Sequence, residues 1–566
     1  MSAETPAEGS RTTTPFHDLA DFVAIPRVTA LRLAPDGTWL AAAVQTLSPD
    51  RKKYLTSLWR IDPGGGPARR LTRSAEGEAS PRFLPDGSLL FTSRRADPGA
   101  SPARQADAEG AALWLLPPGG GEARIVAGLP GGVTAAEVAR DAGTVVLSST
   151  VLPAAGQDGA AGGNSAADDA KLRKERGDAG VTAILHESAP IRFWDHDLGP
   201  DQVRLFAVDP DLLGEAAGTG VAARPGGTAG PGEAAGTAEE FTGLRDLTPE
   251  PGRALDEQAF ELTPDGASVI TGWQQWHPAG QSHAELVMID VATGKRRVLL
   301  SAPEYNFEAP RVSPDGRFIL CQRETQTTPE RPSDVTLVVL GVNGAGPDGD
   351  AGRDLLPGLD RWPAEAAWSP DSQAVYFAAD DDGRRPVFRV DPRTGEVTRV
   401  TGDDGAYTDL NPAPDGRYLY AMRSTVGSPP TPVRIDLNLD PAAAGPAALD
   451  SPGAPLAVPG RLTEVQAAAD DGQNLRAWLV LPDGASPDHP APLLLWVHGG
   501  PMSSWNAWSW RWNPWLMAAR GYAVLLPDPA LSTGYGQEFI ARGYHDWGTR
   551  PFADIMAVTE PVLARA

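Results

Sequence analysis

Ser313-Pro314-Asp315-Gly316, running into Arg317-Phe318-Ile319-Leu320-Cys321, is the stretch whose reading decides the fold. Proline presets the backbone at the first corner of a turn, aspartate caps the turn, and glycine takes the positive φ. The aromatic and branched residues that follow read as a hairpin strand. The same turn stands at Ala34-Pro35-Asp36-Gly37, Leu84-Pro85-Asp86-Gly87, Thr263-Pro264-Asp265-Gly266 and Ala413-Pro414-Asp415-Gly416. Variants stand at Ala139-Arg140-Asp141-Ala142-Gly143 and Ser369-Pro370-Asp371-Ser372. A second strand-like element follows each turn, as in Leu58-Trp59-Arg60-Ile61-Asp62, Leu286-Val287-Met288-Ile289-Asp290 and Val387-Phe388-Arg389-Val390-Asp391. Successive turn aspartates are 50, 55, 124, 50, 56 and 44 residues apart. A period of about 40–50 residues with three to four short strands per unit is the signature of a β-propeller. Seven turns and seven second elements predict seven blades; a sandwich would not repeat one motif at this period.

The long interval is expected to hold two mobile, Gly/Ala-rich insertions, near 153–180 and near 212–240. Between them, Ile184 to Asp209 is expected to be ordered, with Trp194 in the core. Before the first repeat, Phe16, Leu19 and Phe22 lie at helical spacing and predict a short helix packed on another domain. After Asp436 the rhythm stops. An Ala/Pro/Gly linker precedes a hairpin around Asp471-Gly472, and the apolar run Leu493-Leu494-Leu495-Trp496-Val497 ends in His498-Gly499-Gly500-Pro501. A run without alternation is expected to be buried on both faces, as in an α/β sheet. An amphipathic stretch (Trp512 to Arg520), a second buried run (Tyr522 to Pro527) and a helix over Asp554 to Ala564 follow. The predicted organisation is therefore mainly β. An N-terminal tail and helix (1–24) lead into a seven-bladed propeller (25–440), a linker (441–460) and the N-terminal part of an α/β-hydrolase domain (461–566).

Composition narrows the function. Apolar residues make up 41% of the 566, enough for a real core, and the net charge is −24. An acidic chain without a basic run is a poor partner for nucleic acid or an anionic membrane. No signal-peptide apolar region and no stretch long enough to span a bilayer is visible. The single cysteine, Cys321, rules out a disulfide framework and multi-cysteine metal clusters, fits a reducing compartment, and follows a buried-looking strand. The expected setting is cytoplasmic, without cofactor or metal; a homo-oligomer is compatible with the composition.

The His498-Gly499-Gly500-Pro501 turn follows a buried strand where a hydrolase sheet supplies an oxyanion donor. Backbone N–H groups must reach a developing negative oxygen, and glycine lets the chain approach without a Cβ. A plain strand-to-loop turn has the same residues. The repeats followed by Trp496-Val497-His498-Gly499-Gly500-Pro501, then Ser532-Thr533-Gly534-Tyr535-Gly536-Gln537-Glu538-Phe539, then Asp546-Trp547-Gly548, resemble the prolyl oligopeptidase family of serine peptidases, in its acylaminoacyl-peptidase and dipeptidyl-peptidase-like branch.

That resemblance implies a serine peptidase acting on short peptides through a Ser-Asp-His triad, with the propeller covering the site. It implies Gly499 as an oxyanion donor, with His498, Gly500 and Tyr535 lining the substrate site. The sequence departs from the family in holding no G-x-S-x-G elbow. In this fold the triad runs Ser, Asp, His from that elbow. All three are therefore expected C-terminal to Ala566, and no catalytic residue is expected in this chain, which alone is expected to be inactive. His498 and His545 precede any elbow and are excluded as the triad base. The alternative is a non-catalytic propeller that binds a partner and keeps a vestigial hydrolase segment; an esterase of the same fold is a third reading.

Other residues admit a chemical and a bland reading. His196 with Asp195 and Asp197 has metal-ligand chemistry but reads as a blade-edge loop. Asp380-Asp381-Asp382 lacks the terminal acid of a calcium loop and reads as a solvated hairpin. Trp505, Trp508, Trp510, Trp512 and Trp515 are read equally as a substrate wall or as packing. Glu187, Arg192 or Glu324 could grip a peptide terminus.

Overall fold

The computed structural model describes residues 14–564 except 97–109, 154, 156–164, 187–189, 215–242, 278–279, 345–351, 442–444 and 454. The described residues are mainly β. Seven four-stranded antiparallel sheets follow one another along the chain. Their first strands are Arg27–Leu33, Glu78–Phe83, Val133–Val138, Phe260–Leu262, Tyr305–Val312, Pro363–Trp368 and Ala406–Pro412. Each repeated turn joins the first strand of a sheet to the second. In the fifth sheet Gly316 has φ +70°, its N–H donates to Ser313 O at 2.8 Å, and Asp315 accepts from Ser313 Oγ at 2.6 Å and Arg317 N at 3.1 Å.

Apolar clusters lie between consecutive sheets. Leu58, Phe91 and Trp114 join the first to the second, and Leu320, Trp368 and Phe377 the fifth to the sixth. Val28, Leu31, Tyr420 and Met422 join the seventh back to the first. A strand held between two such clusters is buried on both faces, so Val375–Ala379 carries no polar alternation.

Five of the first strands carry a charged residue three positions before the turn's second residue: Arg32, Arg82, Glu137, Glu261 and Arg311. Arg82 makes a bidentate pair with Glu137 at 2.6 and 2.8 Å, Arg32 pairs with Asp409, and Arg311 lies 3.9 Å from Glu261. Burial, with Glu137 adding to it and Arg311 opposing, pushes the Glu261 carboxyl up to about 7 from 4.5. A raised folded-state pKa means that the folded protein keeps a proton the unfolded chain releases. Stability contributed by Glu261 is thus complete below about pH 4.5 and is lost as pH rises towards 7. The Glu261→Gln variant is expected to flatten denaturant midpoints across that window; an unchanged slope would show that Glu261 does not titrate there.

An eighth sheet, of mixed direction, has the order Gly460–Ala468, Asn474–Pro482, Ala523–Asp528, Leu493–Leu495; the last pair is parallel. The helix Arg550–Leu563 covers one face through Val558 and Val562. The other face meets Trp515, Phe16 and Phe22. The helix Leu19–Ala24 is thus anchored on this segment, although Leu19 itself is 55% exposed.

Four expectations change. The span 441–460 is not all linker, because Ala447–Ala448 pairs with Val433 and Arg434 as the seventh sheet's fourth strand. Leu493–Leu495 is an edge strand among the described residues, which leaves Leu495 and Val497 exposed rather than buried. Within the first expected insertion, Ser165–Asp178 is a helix, docked by buried Asp169, which accepts from Leu152 N at 2.9 Å and Arg173 Nε at 2.8 Å. Much of both expected insertions lies outside the described residues. Trp194 is not core: it stands at φ +50° in the hairpin turn between Phe193 and His196 and is 86% exposed.

Candidate active site

Parallel pairing of Leu493–Leu495 with Ala523–Leu525 brings the C-terminal ends of both strands to one edge. One end delivers the His498-Gly499-Gly500-Pro501 turn, the other Asp528. Gly500 has φ +84°, a conformation that favours glycine. Gly499 and Gly500 are exposed, and a Cβ at either would meet nothing within 4 Å among the described residues. The turn therefore presents bare backbone to open space.

Asp528 is buried beneath it. Its carboxylate accepts from Tyr535 OH at 2.7 Å, Trp505 N at 2.9 Å and Ser504 Oγ at 3.1 Å, with Arg476 Nη1 at 3.8 Å. Burial pushes this carboxyl above its usual range against the pull of those partners. The Tyr535 phenol is pushed up by burial and by the Asp528 charge. Tyr535 thus points its hydroxyl inward, at Asp528, and packs its ring on Phe539.

His498 has a buried side chain, and burial lowers its pKa, keeping it neutral at neutral pH. Its Nε2 lies 2.9 Å from Ser532 Oγ and 3.7 Å from Asp528 Oδ1. Ser532 Oγ–H donates to Pro529 O at 2.6 Å, so the hydroxyl accepts from His498 Nε2–H. A catalytic triad needs serine and aspartate on opposite imidazole nitrogens and a reachable hydroxyl. Here both face the same nitrogen and Ser532 is fully buried. The three residues form a brace that ties the Gly-Gly turn to the Ser532–Phe539 loop.

The sixth sheet grips the same loop. Asp380 accepts from Thr533 Oγ1 at 2.6 Å and Asn506 Nδ2 at 2.7 Å, and Asp382 N donates to Gly534 O at 3.0 Å. Gln537 N donates to Asp360 at 2.7 Å, and at the end of the helix that follows, Tyr544 OH donates to Thr328 O, in a connection of the fifth sheet, at 2.6 Å. Asp380-Asp381-Asp382 is therefore an interface hairpin and not a solvated one. Beside it a cavity of about 210 Å³ is lined by Glu308, Gln322, Glu324, Trp362, Asp380 and Arg385.

Of the other sequence candidates, Glu324 lines this cavity, while Glu187 lies outside the described residues. Arg192 is exposed and pairs with Asp197 at 3.0 Å, and His196 is bonded to Asp195 at 3.2 Å in the same exposed hairpin. His545 closes the helix Gln537–Tyr544. Trp508 and Trp515 pack on Phe16 and Phe22, whereas Trp512 is exposed. Cys321 is buried, which pushes its thiol up to about 12. Sequence reasoning missed Asp528 and Arg476, and it read Asp380 as part of a solvated hairpin. A charged residue closing the apolar run Ala523–Asp528 was the available signal for the first.

Residues 508–566 match the sequence model of the prolyl oligopeptidase family. Over that stretch the chain is similar to members of that family. Dipeptidyl-peptidase 5 of Trichophyton schoenleinii is 28% identical over 269 residues, covering 45% of this chain and 35% of that protein. Dipeptidyl-peptidase 5 of Schizosaccharomyces pombe is 27% identical over 310 residues, covering 54% and 43%. The chain thus matches less than half the length of these relatives. In fold, the Pyrococcus horikoshii acylaminoacyl peptidase superposes with a TM-score of 0.66 at 15% identity, over 96% of this chain and 71% of that one.

Proposed function

We propose that this chain is the propeller and the opening part of the catalytic domain of a serine peptidase that hydrolyses short peptides. The observation that carries the reading is the exposed Gly499-Gly500 backbone at the end of a parallel strand, braced from below through His498 and Ser532. Gly499 N–H is assigned as an oxyanion donor. Ser, Asp and His of the triad are assigned to residues beyond Ala566, since Ser532, His498 and Asp528 have the wrong geometry. The seven sheets are assigned as seven blades of one closed propeller, supported by the cluster that joins the seventh sheet to the first. Localisation to the cytoplasm is proposed from the single, buried cysteine.

The test is to sequence the transcript past the codon for Ala566 and to assay both products on aminoacyl and dipeptidyl chromogenic substrates. An in-frame G-x-S-x-G within roughly 15–30 residues, followed by Asp and His, is expected. The longer product should hydrolyse the substrates and the 566-residue chain should not. A reproducible stop codon at that point would overturn the reading.

A further inference from the structure

Asp380 ends the strand Val375–Ala379 and stands at the start of the hairpin that reaches the last segment. Its two oxygens are divided between two loops that are separate in sequence. Oδ1 takes Asn506 Nδ2, five residues past the glycine-proline turn, and Oδ2 takes Thr533 Oγ1. The loops are joined to each other as well, because Thr533 N donates to Ser503 O at 3.0 Å. Thr533 is covalently next to Ser532, and Ser532 accepts from His498, which precedes Gly499. A continuous path of short polar contacts therefore runs from a propeller carboxylate to the amide that would meet a substrate oxygen. On the outer side of the turn, a Cβ at Gly499 or Gly500 would meet nothing within 4 Å among the described residues.

We propose that Asp380 is a positioning residue: it fixes the oxyanion turn by pinning both flanking loops, so that the docked sixth sheet sets the aim of the Gly499 amide. This rests on the peptidase reading above. An oxyanion donor acts only when it is held where the charge develops, and small misplacements cost rate without costing ground-state binding. The propeller then completes the site in addition to covering it.

Two measurements test this. In the 566-residue chain, hydrogen exchange is followed in peptides covering 498–506 and 532–536 for the wild type and for Asp380→Ala, Asp380→Asn and Thr533→Val. Exchange there should rise about tenfold in Asp380→Ala and Thr533→Val, and less in Asp380→Asn, whose amide keeps one acceptor oxygen. The strand Val145–Val151, in the third sheet, should not change, which separates loop release from loss of fold. In the complete enzyme that carries this chain, Asp380→Ala should lower kcat about tenfold with KM within about twofold.

Unchanged exchange in the two peptides, or a loss confined to KM, would overturn the proposal. A complete wild-type enzyme that hydrolyses no peptide would instead overturn the peptidase reading. The exchange data would then still decide whether Asp380 holds the two loops.

Discussion

Replacing Asp528 by alanine is expected to destabilise the last segment by about 3–5 kcal/mol, the range for removing one partner from a buried charged network. The side chain is wholly buried and serves four groups: Tyr535 OH, Trp505 N–H, Ser504 OH and the Arg476 guanidinium. Arg476 is only 1% exposed and would keep Glu464, at 3.0 Å, as its carboxylate partner. Tyr535 and Trp505 would lose their acceptor. Asp528→Asn keeps an acceptor oxygen but not the charge facing Arg476, and should cost less, about 1–3 kcal/mol. Denaturant midpoints of the 566-residue chain give both numbers. A cost below about 1 kcal/mol for the alanine variant would show that the network does not hold the segment together. The pH dependence has a definite sign. Because burial raises this carboxyl in the folded state, its contribution is greatest below the unfolded-state pKa and falls as pH rises through the raised value. Asp528→Asn should remove that slope.

What the sequence revealed follows from the range over which each feature is encoded. The five Pro-Asp-Gly turns and their two variants are complete within four or five residues, and each joins the first two strands of a sheet. The parallel strand that ends in the Gly-Gly turn was also legible, because Leu493 to Val497 is apolar throughout. That this partial sheet has an unpaired central edge was legible too; the exposure of Leu495 and Val497 was not, because an apolar run says that a strand is apolar, not which neighbours cover it. Trp194 misled for a related reason. A large aromatic is usually at least partly buried, but here it occupies the turn of a two-residue-strand hairpin at positive φ, where the side chain projects into solvent. The triple aspartate is the clearest case. Asp380 meets Asn506 and Thr533 across 126 and 153 residues of sequence, and Asp381 pairs with Arg361 and Arg399, each at 2.8 Å. No spacing rule reports partners of that separation, so a run of charge looks solvated until the second body is docked against it. Asp528 was within reach, since a carboxylate that closes a buried strand must find donors nearby.

Gly534→Val should cost about 2–5 kcal/mol and loosen the contact between the sixth sheet and the last segment. Two effects add. The backbone at 534 has φ +89°, where an L-residue pays about 1–2 kcal/mol. A Cβ there would stand 3.0 Å from Asp380 C, 3.1 Å from Asp381 N and 3.2 Å from Asp380 O. These are main-chain atoms of the hairpin that also receives Thr533 and Asn506, so no rotamer change can relieve the contact, and overpacking of this kind costs about 1–3 kcal/mol. The hairpin or the loop must move, and either movement stretches the bond from Asp382 N to Gly534 O. Gly499→Ala provides the contrast: its Cβ would meet nothing within 4 Å among the described residues and its φ lies outside the positive range, so a change within about 0.5 kcal/mol is expected. Unfolding midpoints measure the costs, and limited proteolysis between residues 528 and 544 reports the loosened contact. A Gly534→Val protein as stable and as resistant to cleavage as Gly499→Ala would mean that the loop does not press on the sixth sheet in solution. The path from Asp380 to the oxyanion turn would then lose its first link.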